Sequence, residues 1–134
     1  MKTDEELFDA PYWVIDPLPR QVPKDAPGQF FAVEAYYLSK ARLARIKRKH
    51  LNVILGLNCY YDVSLDGTLN PSPGTIAAAV RKRCALFRIG EAGIFSEPDD
   101  RCLTLYEPDG DLLALTRELA AAEGLFVWQP PRAD

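Results

Sequence analysis

The chain has little of what most catalytic and metal centres are built from. It contains one histidine, His50, and three cysteines, Cys59, Cys84 and Cys102, in 134 residues. No pair of these cysteines has zinc-ligand spacing, and a lone histidine cannot complete a Cys/His set. Neither a metal nor a cofactor is expected. An odd, scattered set of cysteines argues against a disulfide framework and for a reducing compartment, so a cytoplasmic location is expected. No apolar run approaches the roughly 20 residues of a membrane span. The acidic opening Met-Lys-Thr-Asp-Glu-Glu has no apolar stretch of the kind that marks a secretory signal. No membrane partner is expected. There is no phosphate-binding loop. Gly90-Glu91-Ala92-Gly93 follows no strand–helix context, so it predicts a bend rather than a dinucleotide fingerprint. There is no internal repeat.

What is present is an ordinary globular composition, 48% hydrophobic and 26% charged. The charge is unevenly placed. Lys40, Arg42, Arg45, Lys47, Arg48 and Lys49 fall within ten residues with no acid among them, while the whole chain carries 16 basic and 19 acidic residues. Such asymmetry marks either a solvated helix face or an anionic partner. Arg42, Arg45 and Lys49 share one helical row and are the candidate anion-binding residues. Weak, salt-sensitive nucleic-acid binding is the form this would take if the anion were a polynucleotide.

Residues 1–28 read as a proline-rich arm. Pro11, Pro17, Pro19, Pro23 and Pro27 exclude a long helix there. The cluster Tyr12-Trp13-Val14-Ile15 is expected to dock back on the domain or onto a neighbouring subunit. Residues 29–134 form the single α+β domain. Phe31, Val33, Ala35 and Tyr37 alternate, which predicts a strand over 29–38, although Ala and Glu there favour helix. Leu43, Ile46, His50, Val53, Ile54 and Leu57 recur at helical spacing, so a helix covers 40–57 with Ser39 as N-cap. His50 lies on that apolar stripe and is expected to be a packed structural histidine.

From residue 58 to 129 the order is strand, helix, two strands, helix, strand. This is the split βαβ, or ferredoxin-like, pattern. It predicts strands over 58–65, 92–97, 101–107 and 125–128, with 59–65 beside 101–107 in a mostly antiparallel sheet. Helices over about 73–84 and 111–122 should share one face. Ser72-Pro73 starts the first of them, and Phe87 extends its spacing. Asp66-Gly67 and Pro98-Asp99-Asp100 read as turns.

In this layer Tyr60, Asp62 and Ser64, then Cys102, Thr104 and Tyr106, then Phe126 and Trp128 would share the face away from the helices. Something must cover so large an apolar face: the preceding segment, a second subunit or a ligand. Tyr60, Asp62, Ser64, Tyr106 and Trp128 are therefore the candidate ligand-binding residues, with Asp62 the notable acid. No catalytic residue is assigned. Cys59 with His50 could form a nucleophile–base pair, but Cys59 would face inward, where cysteines are inert. The third strand, Arg101–Glu107, lacks the glycines of the RNA-recognition signature.

The stretches Asn58-Cys59-Tyr60-Tyr61-Asp62 and Glu123-Gly124-Leu125-Phe126-Val127-Trp128, with the arm segment from Ile15 to Pro23, resemble small bacterial single-domain proteins with no assigned activity. The resemblance implies an α+β fold and nothing about chemistry. The function expected is a non-catalytic interaction protein, an adaptor or immunity-type binder, with a protein partner or self-association. The alternative is a small-ligand binder or small enzyme with a pocket around Asp62, Tyr60 and Ser64.

Overall fold

Two tight turns organise the sheet. Asp66 and Gly67 both have positive φ (51° and 81°), as a two-residue type I′ hairpin requires, and join β2 (Ser64–Leu65) to β3 (Thr68–Leu69). Gly90 (φ 57°) and Glu91 join β4 (Ala85–Ile89) to β5 (Ala92–Ser96). The computed structural model describes residues 1–131. Among these, α1 (Asp4–Phe8), β1 (Tyr12–Asp16), α2 (Phe30–Tyr37) and α3 (Lys40–Asn58) precede β2. The remaining elements are α4 (Pro73–Lys82) before β4, then β6 (Leu103–Tyr106), α5 (Gly110–Ala122) and β7 (Phe126–Trp128). The seven strands form one open sheet in the order β3-β2-β4-β5-β6-β1-β7, and each pairing is antiparallel. The fold is α+β.

One sheet face carries the core. Phe87, Ile94, Leu105 and Trp13 are cross-strand partners on it, as are Ala85, Ser96, Leu103, Ile15 and Val127. Helix α3 lies over this face with α4 and α5 packed beside it. Val53, Ile54 and Leu57 of α3, Ile76 and Val80 of α4 and Leu112 and Ala120 of α5 complete the buried cluster. The last two helices start as their sequences dictate. The Ser72 hydroxyl accepts from Thr75 N with Pro73 following, and the Asp109 carboxylate accepts from Leu112 N at 2.8 Å.

The strand order is not the ferredoxin-like one expected. Leu65 does not adjoin Leu103–Tyr106, because β4 and β5 lie between them. The reason is an additional strand over 85–89, which the sequence pattern hides by attaching Phe87 to the spacing of the preceding helix. Residues 85–89 bury Ala85, Phe87 and Ile89 in strict alternation, while α4 stops at Lys82 and Arg83 is extended. Phe87 happens to extend the helical spacing of Ile76 and Val80, which masks the period of two. The expected strand over 58–65 shrinks to Ser64–Leu65 because α3 runs on to Asn58. The Asn58 side chain then donates to Tyr61 O and to Asn70 Oδ1, and Asn70 Oδ1 accepts from Val63 N, which closes the segment as a loop.

The expected strand over 29–38 is helix α2 instead. Its alternating residues face no sheet, and the local preference of Ala32, Glu34 and Ala35 decides. The arm supplies more than a docking cluster: Tyr12–Asp16 is β1, hydrogen-bonded between β6 and β7. Helix α1 lies on the face away from α3. Leu7 there is fully buried, and its Cδ2 stands 2.7 Å from where a Cβ on Gly93 would sit. Phe8 makes edge-on contacts with Phe95 and Tyr106, ring centres 5.3 Å apart in both cases. The arm thus covers part of the second sheet face.

Candidate docking surface

Helix α2, Phe-Phe-Ala-Val-Glu-Ala-Tyr-Tyr, is apolar or aromatic around its circumference except at Glu34, and has no buried residue. Such a helix normally lies inside a protein. Here Phe31 is 83% exposed and Tyr36 54% exposed, with Val33 and Leu38 also open. Arg101 holds it in place. Its guanidinium pairs with Glu34, lies 5.2 Å from the Phe30 ring centre, and reaches the buried Asp16 carboxylate of β1 at 3.4 Å. Asp16 Oδ1 also accepts from Leu18 N, which turns the chain out of β1. One arginine therefore spans the sheet and α2.

The basic helix begins where α2 ends. Ser39 occupies the N-cap position of α3, yet its hydroxyl donates backward to Tyr36 O at 2.7 Å and closes α2. Neither an acid nor a side-chain cap balances the start of α3, whose first half carries the positive run against the helix dipole. Arg42 stacks on the Tyr36 ring, 3.7 Å from its centre. Among the described residues, Lys40, Arg42, Arg45, Arg48, Lys49 and Arg81 have no carboxylate within 4.0 Å, whereas Lys2, Arg83, Arg88 and Arg101 do.

Between α3 and α4 the surface opens into a groove of about 330 Å³. Ala44 and Ala77 are too short to close it, Leu51 and Val80 line its apolar part, and Arg45, Arg48 and Arg81 stand around it exposed. The stem of Lys47 also lines it, but the amine points inward. It donates to Ser96 Oγ at 3.1 Å and to Glu97 O at 2.6 Å. Burial lowers its pKa to about 8, against the attraction of Asp100, Asp99 and Glu97. One turn on, His50 is fully buried. Its Nε2 lies 3.1 Å from Arg101 O, and since a carbonyl can only accept, the ring proton sits on Nε2. Burial, then the Lys47 charge, depresses its pKa to about 3. Both side chains fix α3 to the β5–β6 turn.

The structure places the sequence-derived site residues as follows. Arg42 and Arg45 lie along the basic surface, Arg42 against α2 and Arg45 at the groove. Lys49 turns toward Gly124 at the end of α5. Ser64 lies in β2, and Tyr60 and Asp62 lie in the segment that leads from α3 to it. Tyr60 is 71% exposed, and Asp62 Oδ1 accepts from Asn70 Nδ2 at 2.9 Å. Tyr106 lies in β6 under Phe8, and Trp128 in β7. From Ser64 in β2 to Trp128 in β7 there are five interstrand steps, on the order of 24 Å at the usual spacing. The structure does not bring these five residues together. Burial pushes the Cys102 thiol pKa up, and Cys59 and Cys84 are exposed on other elements. Among the described residues, no group of three His, Cys, Asp or Glu is arranged to hold a metal ion, and no helix is long and apolar enough to cross a membrane. Arg48 and Arg81 escaped sequence reading as a pair because only the α3–α4 packing unites them.

No family model matches the chain, and neither a curated protein nor a solved structure is significantly similar to it. The resemblance of Asn58–Asp62 and Glu123–Trp128 to small bacterial proteins rests on the sequence alone.

Proposed function

We propose that this chain is a non-catalytic interaction protein, an adaptor or immunity-type binder, that docks a protein partner on α2 and the adjoining basic half of α3. The observation that carries the reading is α2, a helix whose residues other than Glu34 are apolar or aromatic and none of which is buried, joined through the Tyr36–Arg42 stack to cations without carboxylate partners among the described residues. Apolar area of this kind is stabilised when a partner removes it from water. A second copy is a poorer fit than a different protein, because a symmetric contact would set one basic helix beside another. The cytoplasmic setting expected from the sparse cysteines belongs to the same proposal.

The test is site-specific photo-crosslinking in lysate of the source cell. A photoreactive residue at Phe31 should trap one protein stoichiometrically, and Tyr36→Asp should abolish that trapping. The same probe at exposed Tyr60, in the turn after α3, should trap none. Equal trapping from both positions, or a self-crosslinked dimer alone, overturns the reading of α2 as a site for another protein.

A further inference from the structure

The groove between α3 and α4 combines two features that select for different parts of one ligand. Its floor is apolar, with Leu51 and Val80 beside the gap left by Ala44 and Ala77. Its rim is cationic, with exposed Arg45 and Arg48 on α3 and Arg81 on α4. None of the three has a carboxylate within 4.0 Å among the described residues, in a chain with 19 acidic side chains. Arginine on a rim is suited to forked pairing with carboxylates.

We infer that the α3–α4 groove receives an acidic amphipathic helix of the protein partner, with an apolar row in the floor and carboxylates on Arg45, Arg48 and Arg81. The inference rests on the reading of the chain as a protein-docking module and names the chemistry of the docked segment. Three physical arguments select this occupant. A polynucleotide backbone is polar and charged throughout, and would leave the Leu51–Val80 floor unfilled. A membrane surface is flat on this scale and does not enter a groove between two helices. A helix laid in such a groove presents apolar residues at spacings of three and four, with acids on either side for the two arginine-bearing rims. The inward-turned Lys47 amine stays with Ser96 and Glu97 and anchors the floor rather than the ligand.

The experiment titrates full-length protein into a fluorescein-labelled peptide of glutamate, alanine and leucine, about five helical turns long, with leucines in one row. Comparison probes are the same composition with leucines scattered off that row, polyglutamate, decanoate, a single-stranded RNA and anionic phosphatidylglycerol vesicles. The amphipathic peptide should bind at least tenfold more tightly than the scattered peptide or polyglutamate. Arg48→Glu with Arg81→Glu should weaken it at least tenfold, and Arg117→Glu, at an exposed position of α5, should not. Ala77→Leu fills the floor without changing charge and should also weaken it tenfold, with the fold monitored by circular dichroism. Equal binding of polyglutamate, tighter binding of decanoate, RNA or vesicles, or indifference to both groove variants overturns the inference. If Phe31 crosslinking persists while the groove variants change nothing, the groove assignment fails and the docking function stands. If the peptide binds the groove but Phe31 traps no protein, the α2 reading fails instead.

Discussion

The Lys47 amine lies 2.6 Å from Glu97 O, inside the molecule, while the neighbouring Arg48 stands exposed at the α3–α4 groove. Two adjacent cations of one helix thus have opposite tasks. One fastens the helix to the β5–β6 turn, and the other faces outward. Burial holds the Lys47 pKa at about 8, below the ordinary 10.5. The unfolded chain therefore binds more protons than the folded one between these values, so this residue makes stability rise from pH 8 to 10.5. The Cys102 thiol and Tyr106 phenol, both pushed up by burial, oppose that rise from about pH 9 onward. The difference between wild type and Lys47→Met isolates the lysine. Urea denaturation across pH 7 to 11 should show the variant gaining on wild type below pH 8 relative to above pH 10, by about 3 kcal/mol at most. A parallel pair of curves would contradict the buried, partly desolvated amine.

His50 gives a second pH signature of the same sense, at lower pH. Its pKa falls from 6.5 to about 3 on folding, so the unfolded state takes up a proton first as the solution is acidified. Stability should drop by about 1.4 kcal/mol per pH unit below 6.5 from this residue alone. Carboxylates join below about pH 5, so the clean window is pH 5 to 6.5. His50→Gln keeps a donor for Arg101 O and should flatten the slope there. An unchanged slope would mean that another group sets it.

Arg101 is the clasp of α2, through Glu34, Phe30 and the buried Asp16. Arg101→Ala leaves the Asp16 carboxylate buried without its cation, and should cost about 3 kcal/mol. Hydrogen exchange should quicken across residues 30–37 far more than across α3 or α5, because α2 has no buried side chain to hold it. Uniform quickening would show instead that α2 is held by contacts other than this clasp.

Leu7 anchors the N-terminal helix against Gly93. Leu7→Ala should destabilise by about 2–5 kcal/mol, the range for a buried leucine truncation. Gly93→Val should also be unfavourable, since its side chain would enter the space Leu7 fills. A loss under about 0.5 kcal/mol for Leu7→Ala, the scale of surface substitutions, would place α1 outside the cooperative unit.

The sequence by itself determined the elements whose signals are local. The α3 stripe from Ile46 to Leu57, the Ser72-Pro73 helix start, the Asp66-Gly67 turn and the two short strands β5 and β6 depend on neighbours a few residues away, and all were legible. It also determined the polarity of the charge, since six cations in ten residues need no structure to be seen. Tertiary structure alone decided where short apolar runs went. Tyr12–Ile15 could be read as an arm cluster, but only the open edges of β6 and β7 make it a central strand. Phe87 satisfies both a helical and a strand period, and the hairpin at Gly90 selects the strand. Residues 30–37 alternate like a strand, yet no strand of the sheet pairs with them, so intrinsic helix preference prevails and leaves their apolar side chains in water. The groove depends on α3 and α4 bringing Arg48 and Arg81 to one cleft, a placement that no spacing along the chain encodes. Local periodicity fixes which bonds a segment can make with itself; which distant segment completes its hydrogen bonds and buries its side chains is settled only when all of them compete for the same space.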